Sequence, residues 1–260
     1  MNQPLSYVHP AAKIAKTVVI EPFTTIGKDV IIGEGTWIGS NVTIMEGARI
    51  GKNCSIYSGA VISGVPQDLK FKGEETTAEI GDNTVIRECV TINRGTNDRN
   101  KTVVGKNCLI MAYSHIAHDC LLGDYCIFSN NSTLAGHVTV GDHVTLAGMV
   151  AVHQFCKIGR HSFIAGGSLV RKDIPPYVKA AREPLSFVGI NSVGLRRRGF
   201  DTNTIKSIQN IYRILFQKKH NNTQAISIIE AELEATKERD EILSFIQNSQ
   251  RGIMKGYFQN

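Results

Sequence analysis

The chain has 260 residues, enough for one large core and a smaller second unit. Its net charge of +6 favours acidic partners without naming one, and its dispersed Lys and Arg read as solvated surface rather than as nucleic-acid binding. No apolar run approaches the ~20 residues of a membrane helix, and the start, MNQPLSYVHP, lacks the charged and apolar regions of a signal peptide; no stable membrane insertion and a cytoplasmic location are expected.

From Ile14, isoleucine recurs every sixth residue, at Ile20, Ile26, Ile32, Ile38, Ile44, Ile50, Ile56 and Ile62. The phase resumes at Ile80, Ile86 and Ile92 and again from Val104 to Val170, broken only at Asp68, Glu74 and Asp98. A period of six fits neither an amphipathic helix nor an alternating strand. Four positions after each large aliphatic comes a small or β-branched residue, as at Val18, Thr24, Val30, Ser114 and Val138. One hexad is too short to bury its own face, so hexads must stack into a solenoid. Three flat strands per coil make a triangular prism, mostly β, in which residues eighteen apart share a face. Cys54, Cys108, Cys120, Cys126 and Cys156 all take the small-residue position and read as reduced core residues, whereas Cys89 stands one place earlier.

The rhythm places a β-helix over residues 1–175, with two polar excursions at about 63–79 and 93–103. Loops on a rigid scaffold often carry binding groups, which draws attention to Asp68 and Lys70. The segment RKDIPPY ends the repeat, because Pro175 and Pro176 are expected to stop further strand pairing. A connecting segment, 176–200, follows. The final part, 201–260, is predicted to be an α-helical domain: Ile205, Ile208, Tyr212 and Leu215 share one helix face behind an N-cap at Asp201 or Thr202, and further helices are expected around 225–236 and 239–247. These helices would cap the open end of the solenoid.

Six of the eight histidines lie late in the solenoid. The eighteen-residue coil brings His118 near His137 and stacks His143 on His161. For the latter pair a hydrogen-bonded surface ladder is the simpler account. In SHIAHDC, Asp119 follows His118, and a carboxylate beside an imidazole orients it and raises its basicity. A zinc site is not expected: no paired C-x-x-C occurs, and no two histidines are five residues apart, the spacing with which hexapeptide-repeat carbonic anhydrases hold their metal.

Six segments taken in order, PQDLKF, INRGT, HIAHDC, LAGHV, AVHQFC and GLRRRGF, resemble the UDP-N-acetylglucosamine O-acyltransferases of lipid A synthesis over nearly the whole chain. That resemblance implies a left-handed parallel β-helix, a homotrimer with clefts between adjacent prisms, and transfer of a 3-hydroxyacyl chain from acyl carrier protein to the 3-hydroxyl of UDP-N-acetylglucosamine. It implies no acyl-enzyme and no separate cofactor, the phosphopantetheine arriving on the carrier protein. By match of motif, His118 is the general base, Asp119 orients it, and the backbone N–H of Gly136 receives the developing oxyanion. Asp68, Lys70, His115, His137, His153 and Gln154 line the sugar cleft, and Asn191, Arg197 and Arg198 lie near the uridine diphosphate, where a guanidinium fork donates two hydrogen bonds. Gly166 matches a position that sets acyl length, and glycine there leaves room for a chain of about fourteen carbons or more. Arg171, Lys172, Lys179, Arg182, Lys206 and Arg213 become candidates for docking the acidic carrier protein. Two positions depart from the best-known members: Val193 stands in place of an acidic residue and Asn93 in place of a histidine.

Other readings stay open at this point. A 3-amino sugar nucleotide is an alternative acceptor. The lipid A N-acyltransferases carry an additional N-terminal domain, whereas here the repeat begins by Val8. A serine or sugar acetyltransferase using acetyl coenzyme A is a further alternative, although the PQDLKF loop and the RRRGF segment match the carrier-protein enzymes better. A non-catalytic β-solenoid scaffold explains the isoleucine ladder but neither the two polar loops nor the histidine cluster.

Overall fold

A computed structural model describes residues 5–218 and 220–257; residues 1–4, 219 and 258–260 of the two expected domains lie outside it. Short strands run from β1 (Tyr7–Val8) to β25 (Leu169–Val170), turning a corner every six residues. They pair in parallel into three sheets, the faces of a prism, which hold nine, eight and eleven strands among the described residues once three strands beyond β25 are included in the third. Register follows the coil: Tyr7 pairs with Thr25, Thr25 with Thr43, and Thr43 with Val61, each eighteen residues on. The aliphatic ladder from Ile20 to Val170 fills the prism axis, and the small-residue positions, all five hexad cysteines among them, are buried beside it. Each fully buried Ile or Leu contributes ~1.5–3 kcal/mol, so the repeat itself supplies the bulk of the stability.

The two excursions keep phase because each inserts whole hexads. Val61 pairs with Thr91, thirty residues on, and Thr77 pairs with Lys101, twenty-four on, so one coil carries twelve extra residues and another six. The projecting parts are 65–76 and 94–100, shorter than expected, because the strands Val61–Gly64, Thr77–Ile80, Thr91–Asn93 and Lys101–Val104 extend into their bases. Both leave the same corner, between the first and second faces, on neighbouring coils. His118, Gly136 and Gln154 stack on that corner in the coils above.

The second turn residue of nearly every corner is left-handed, as at Asn53 (φ 53), Asn107 (φ 56), Asp119 (φ 59) and His137 (φ 63). For residues other than Gly this conformation costs of order 1 kcal/mol, and the ladders on either side hold it in place. The site side chains are therefore aimed by a backbone with one permitted conformation.

The expectation that Pro175 and Pro176 stop strand pairing is corrected. The strand β26 (Val178–Ala181) continues the third face in parallel with Phe163–Ile164, and it turns back antiparallel into β27 (Ser186–Ile190), against which β28 (Lys255–Gly256) pairs. The ladder needs no donor where the prolines sit: Ile174 and Tyr177 donate to Lys157 and Arg160 on either side of them. The two proline carbonyls are also used, accepting from Ser162 and Tyr212. The segment 176–200 is thus mostly regular and ends in a short helix, α1 (Ser192–Arg197).

Three further helices complete the chain: α2 (Thr202–Gln217), capped by Asp201, α3 (Asn222–Glu232) and α4 (Lys237–Gln247). Ile205, Ile208, Tyr212 and Leu215 of α2 are buried. Phe187 of β27 packs between Tyr212 and Phe216, and Arg160 of the last coil pairs with Glu241 of α4 at 2.7 Å. The helices cover the final strands as a cap.

Candidate functional site

Asp119 is fully buried. Its Oδ1 accepts from the backbone N–H groups of Thr96 (3.0 Å) and Arg99 (3.2 Å), and its Oδ2 from the Thr96 hydroxyl (2.7 Å) and His118 Nδ1 (2.8 Å). Burial alone would raise the pKa of this carboxyl. The Thr96 hydroxyl, His118 and the two N–H groups outweigh burial and hold it below the usual carboxylate range. An ionised carboxylate against Nδ1 fixes that nitrogen as the donor and leaves the lone pair on Nε2. The His118 side chain is only 12 % exposed, so one edge of the ring is all that a substrate can reach.

Gly136 sits one coil above His118. A Cβ at this position would lie 2.6 Å from His118 Cε1 and 2.8 Å from Nε2, so the imidazole rests directly on the glycine backbone. The Gly136 N–H donates to no group among the described residues. His137 stands edge-on to His118, ring centroids 5.0 Å apart, and stacks on Phe155 at 4.5 Å. His115 Nδ1 lies 2.7 Å from the Thr91 hydroxyl, and burial, then the neighbouring His118, lower its pKa.

Beside His137 and Phe155 opens a cleft of about 710 Å³ lined by both excursions, with Asp68, Lys70 and Asp98 on its walls. Asn97 donates to Glu74 at 2.9 Å and Arg94 lies over the Phe71 ring, tying the two loops to each other. Asp68 Oδ1 accepts from the Lys70 N–H at 2.9 Å, which leaves Oδ2 without a partner from that turn. His153 and Gln154 are exposed on the next coil beside Phe155, with the His153 ring against the Gln154 carbonyl at 3.1 Å, and they stand at the rim rather than on the wall.

Asn191, Arg197 and Arg198 lie elsewhere. They line a second cleft, of about 680 Å³, on the outside of the third face with Val193, Lys179 and Phe163. Asn191 caps α1 through Gly194 and donates to the His161 carbonyl at 2.9 Å, and a buried Arg198 Nη1 has no partner. Burial lowers the pKa of Arg198. The two departures are clear in place: Val193 is 56 % exposed at this cleft, and Asn93 is buried at the base of the second excursion, donating to Val65. Gly166 is at a third location, the corner between the third and first faces, beside the Gly148 carbonyl. Within one chain the structure thus gathers His118, Asp119, Gly136, His115, His137, Asp68 and Lys70, and separates them from Asn191, Arg197, Arg198 and Gly166.

Thr96, the last residue of INRGT, and Arg99, which lies in no motif, hold Asp119 and were not singled out as site residues. Their signal is arithmetic: an excursion of one hexad beginning one coil below HIAHDC must fall over that corner. His118, Asp119 and His137 also place three ligand-capable atoms within 4.8 Å of one another. A carboxylate has about four lone-pair sites, and four donors already use those of Asp119, so a cation there would have to displace the network that orients His118.

A parallel β-helix of hexapeptide repeats, with a buried His–Asp dyad at a cleft formed by its own loops, defines a hexapeptide-repeat transferase. Residues 29–64 and 101–136 match the bacterial transferase hexapeptide repeat, and residues 173–254 match domain 2 of UDP-N-acetylglucosamine O-acyltransferase. The acyl-[acyl-carrier-protein]–UDP-N-acetylglucosamine O-acyltransferases of Thiobacillus denitrificans and Myxococcus xanthus are 41% and 44% identical over 191 residues, each match covering 73% of this chain and 74% of the relative. The crystal structure of a UDP-N-acetylglucosamine acyltransferase from Bacteroides fragilis superposes with a TM-score of 0.97 at 49% identity, covering 98% of this chain and 100% of that one. The Francisella novicida enzyme gives 0.95 at 42%, covering 98% and 94%. The chain belongs to the UDP-N-acetylglucosamine O-acyltransferase family, and its β-helix is left-handed.

Proposed function

We propose that this chain transfers a 3-hydroxyacyl group from acyl carrier protein to the 3-hydroxyl of UDP-N-acetylglucosamine, the first step of lipid A biosynthesis. The observation that carries this reading is the His118–Asp119 dyad seated on Gly136, in a chain of this family. The sugar hydroxyl is a poor nucleophile, so His118 Nε2 takes its proton as the oxygen attacks the thioester carbonyl. Asp119 keeps Nδ1 as the donor and stabilises the imidazolium that forms. The free N–H of Gly136 faces the oxyanion, and collapse of the tetrahedral species breaks the carbon–sulfur bond, the departing thiolate regaining the proton from His118. No acyl-enzyme forms.

Asp68, Lys70, His115 and His137 bind the sugar, His153 and Gln154 act at the rim, and Asn191, Arg197 and Arg198 take the diphosphate. A prism corner lies opposite the third face, so a single substrate reaches His118 and Arg198 only if they come from two chains; a homotrimer with its clefts between subunits meets that need. The acyl chain follows the groove toward Gly166, and basic residues near the end of the prism, Arg171 and Lys172 among them, dock the acidic carrier protein. Phosphopantetheine comes with the donor, no cofactor of the chain's own is used, and the enzyme works in the cytoplasm.

Purified protein given UDP-N-acetylglucosamine should consume 3-hydroxyacyl carrier protein and not acetyl coenzyme A, and the product should be an alkali-labile ester. His118→Ala should lower kcat roughly 10²–10⁴-fold, the usual contribution of a general base, with the assembly unchanged. Wild-type activity in that variant would remove His118 from the reaction.

A further inference from the structure

His137 has a carboxylate on each side. Asp119 Oδ2 lies 3.9 Å from its Nε2, and Asp98 Oδ2 lies 3.0 Å from its Nδ1. His118 at its edge and Phe155 on its face come from the coils, whereas Asp98 reaches this ring from an excursion. The excursion is well braced. Asn100 donates to the Thr96 carbonyl at 2.8 Å and Asp98 N–H to the Thr96 hydroxyl at 3.3 Å, while Thr96 and Arg99 are the residues that grip Asp119. One short loop therefore serves both histidines. The His137 side chain is 12 % exposed and that of Asp98 is 63 % exposed, so the pair lies at the boundary between the cleft wall and solvent. The contact is off the line of the ring N–H, and buried Nδ1 makes no hydrogen bond in this state. A small rotation of Asp98, on a loop that lines the substrate cleft, would complete it.

We propose that Asp98 is a positioning residue for the acyl transfer: its carboxylate engages Nδ1 of His137 and so turns the Nε2 edge of that ring toward His118 and the acceptor sugar. The inference rests on the acyl-transfer reading above for its kinetic consequence and on the geometry alone for the pairing. While the cleft is open, solvent screens the pair and it is worth little. A sugar nucleotide covering the cleft removes that water and strengthens the contact, so its effect falls on the bound state.

The test uses the full chain, with Asp98→Ala, Asp98→Asn, His137→Ala and the double variant Asp98→Ala with His137→Ala. Asp98→Ala should lower kcat/KM about tenfold, the value of one charge-assisted hydrogen bond at the low end of its range, chiefly through KM for the sugar nucleotide. Asp98→Asn, which keeps an acceptor, should recover part of that loss. The double variant should be no worse than His137→Ala alone, because Asp98 acts through that ring. Nitrogen NMR on isotope-labelled histidine, recorded with UDP-N-acetylglucosamine bound, should show the His137 ring resonances moving in Asp98→Ala while those of His118 stay. Losses that add in the double variant, or a His137 signal indifferent to Asp98, would overturn the proposal. A wild-type chain that does not acylate the sugar nucleotide would sink the acyl-transfer reading instead, and the NMR comparison would still decide the Asp98–His137 pairing.

Discussion

Gly136 is the residue on which the geometry of His118 depends most directly. The next coil places Gln154 at the same corner position, so the backbone there accepts a side chain. What forbids one at 136 is the imidazole itself, 2.6 Å from a Cβ. Gly136→Ala should fold normally, with a melting temperature within a few degrees of wild type, yet lower kcat on the order of 10²-fold, because the ring must shift off the Asp119 axis and a misplacement of ~1 Å at a reacting group costs that much. Steady-state kinetics beside thermal unfolding checks both halves. A large fall in stability with proportionate loss of activity would mean that Gly136 serves only the coil. The residue could be marked in advance from LAGHV, but the reason for it could not, since the hexad pattern tolerates glycine at many corners and only the stacking of coils shows which one lies against a histidine.

At the scale of an element, the ladder of rings along the corner between the second and third faces stores a pH response. Tyr125, His143, His161 and Tyr177 stack at 4.7, 4.8 and 5.6 Å, and Phe200 closes against His161 edge-on. Burial, then His143, Arg198 and Arg160, push the His161 pKa down to about 3. Its Nδ1 is buried without a partner. Unfolded His161 takes a proton near pH ~6.5 while the folded state refuses it until about 3, so stability is complete above the unfolded value and falls as the pH drops through this window. His161→Phe keeps the stack, and aromatic residues already occupy the same left-handed corner position at Tyr125 (φ 58) and Phe155 (φ 65). Between pH 7 and 4.5, at fixed protein concentration, denaturant unfolding should show wild type losing roughly 2 kcal/mol more than this variant. Equal losses would place the acid sensitivity elsewhere. The His143–His161 step of the ladder was readable from its eighteen-residue spacing, as were the strands of the coils up to Leu169–Val170, because a repeat states its own contacts. Pro175 and Pro176 were misread for the opposite reason: the absence of a donor disrupts a ladder only where the ladder needs one, and their corner does not. Thr96, although it ends INRGT, and Arg99 were passed over because the hexad count brings their loop to that corner without saying which of its groups turn toward Asp119.

For the whole molecule, the division of the site between the corner of the first and second faces and the outer side of the third face makes a prediction that no single-chain site shares. Two inactive proteins, His118→Ala and Arg198→Ala, are denatured, mixed in equal amounts and refolded together. If each working site takes His118 from one chain and Arg198 from its neighbour in a ring of three, random assembly pairs two intact partners at about one site in four, since each contributor is the right variant half of the time. Close to a quarter of wild-type activity should return from components that are separately inert. If one chain supplies both residues, every site carries one of the two defects and mixing restores nothing. The prism axis argues for the first outcome: it is packed solid with the ladder from Ile20 to Val170 and leaves no passage from one side to the other. Its rigidity would also keep a surface divided in this way in register, since corners locked by parallel pairing on both sides present their side chains at fixed heights along the prism.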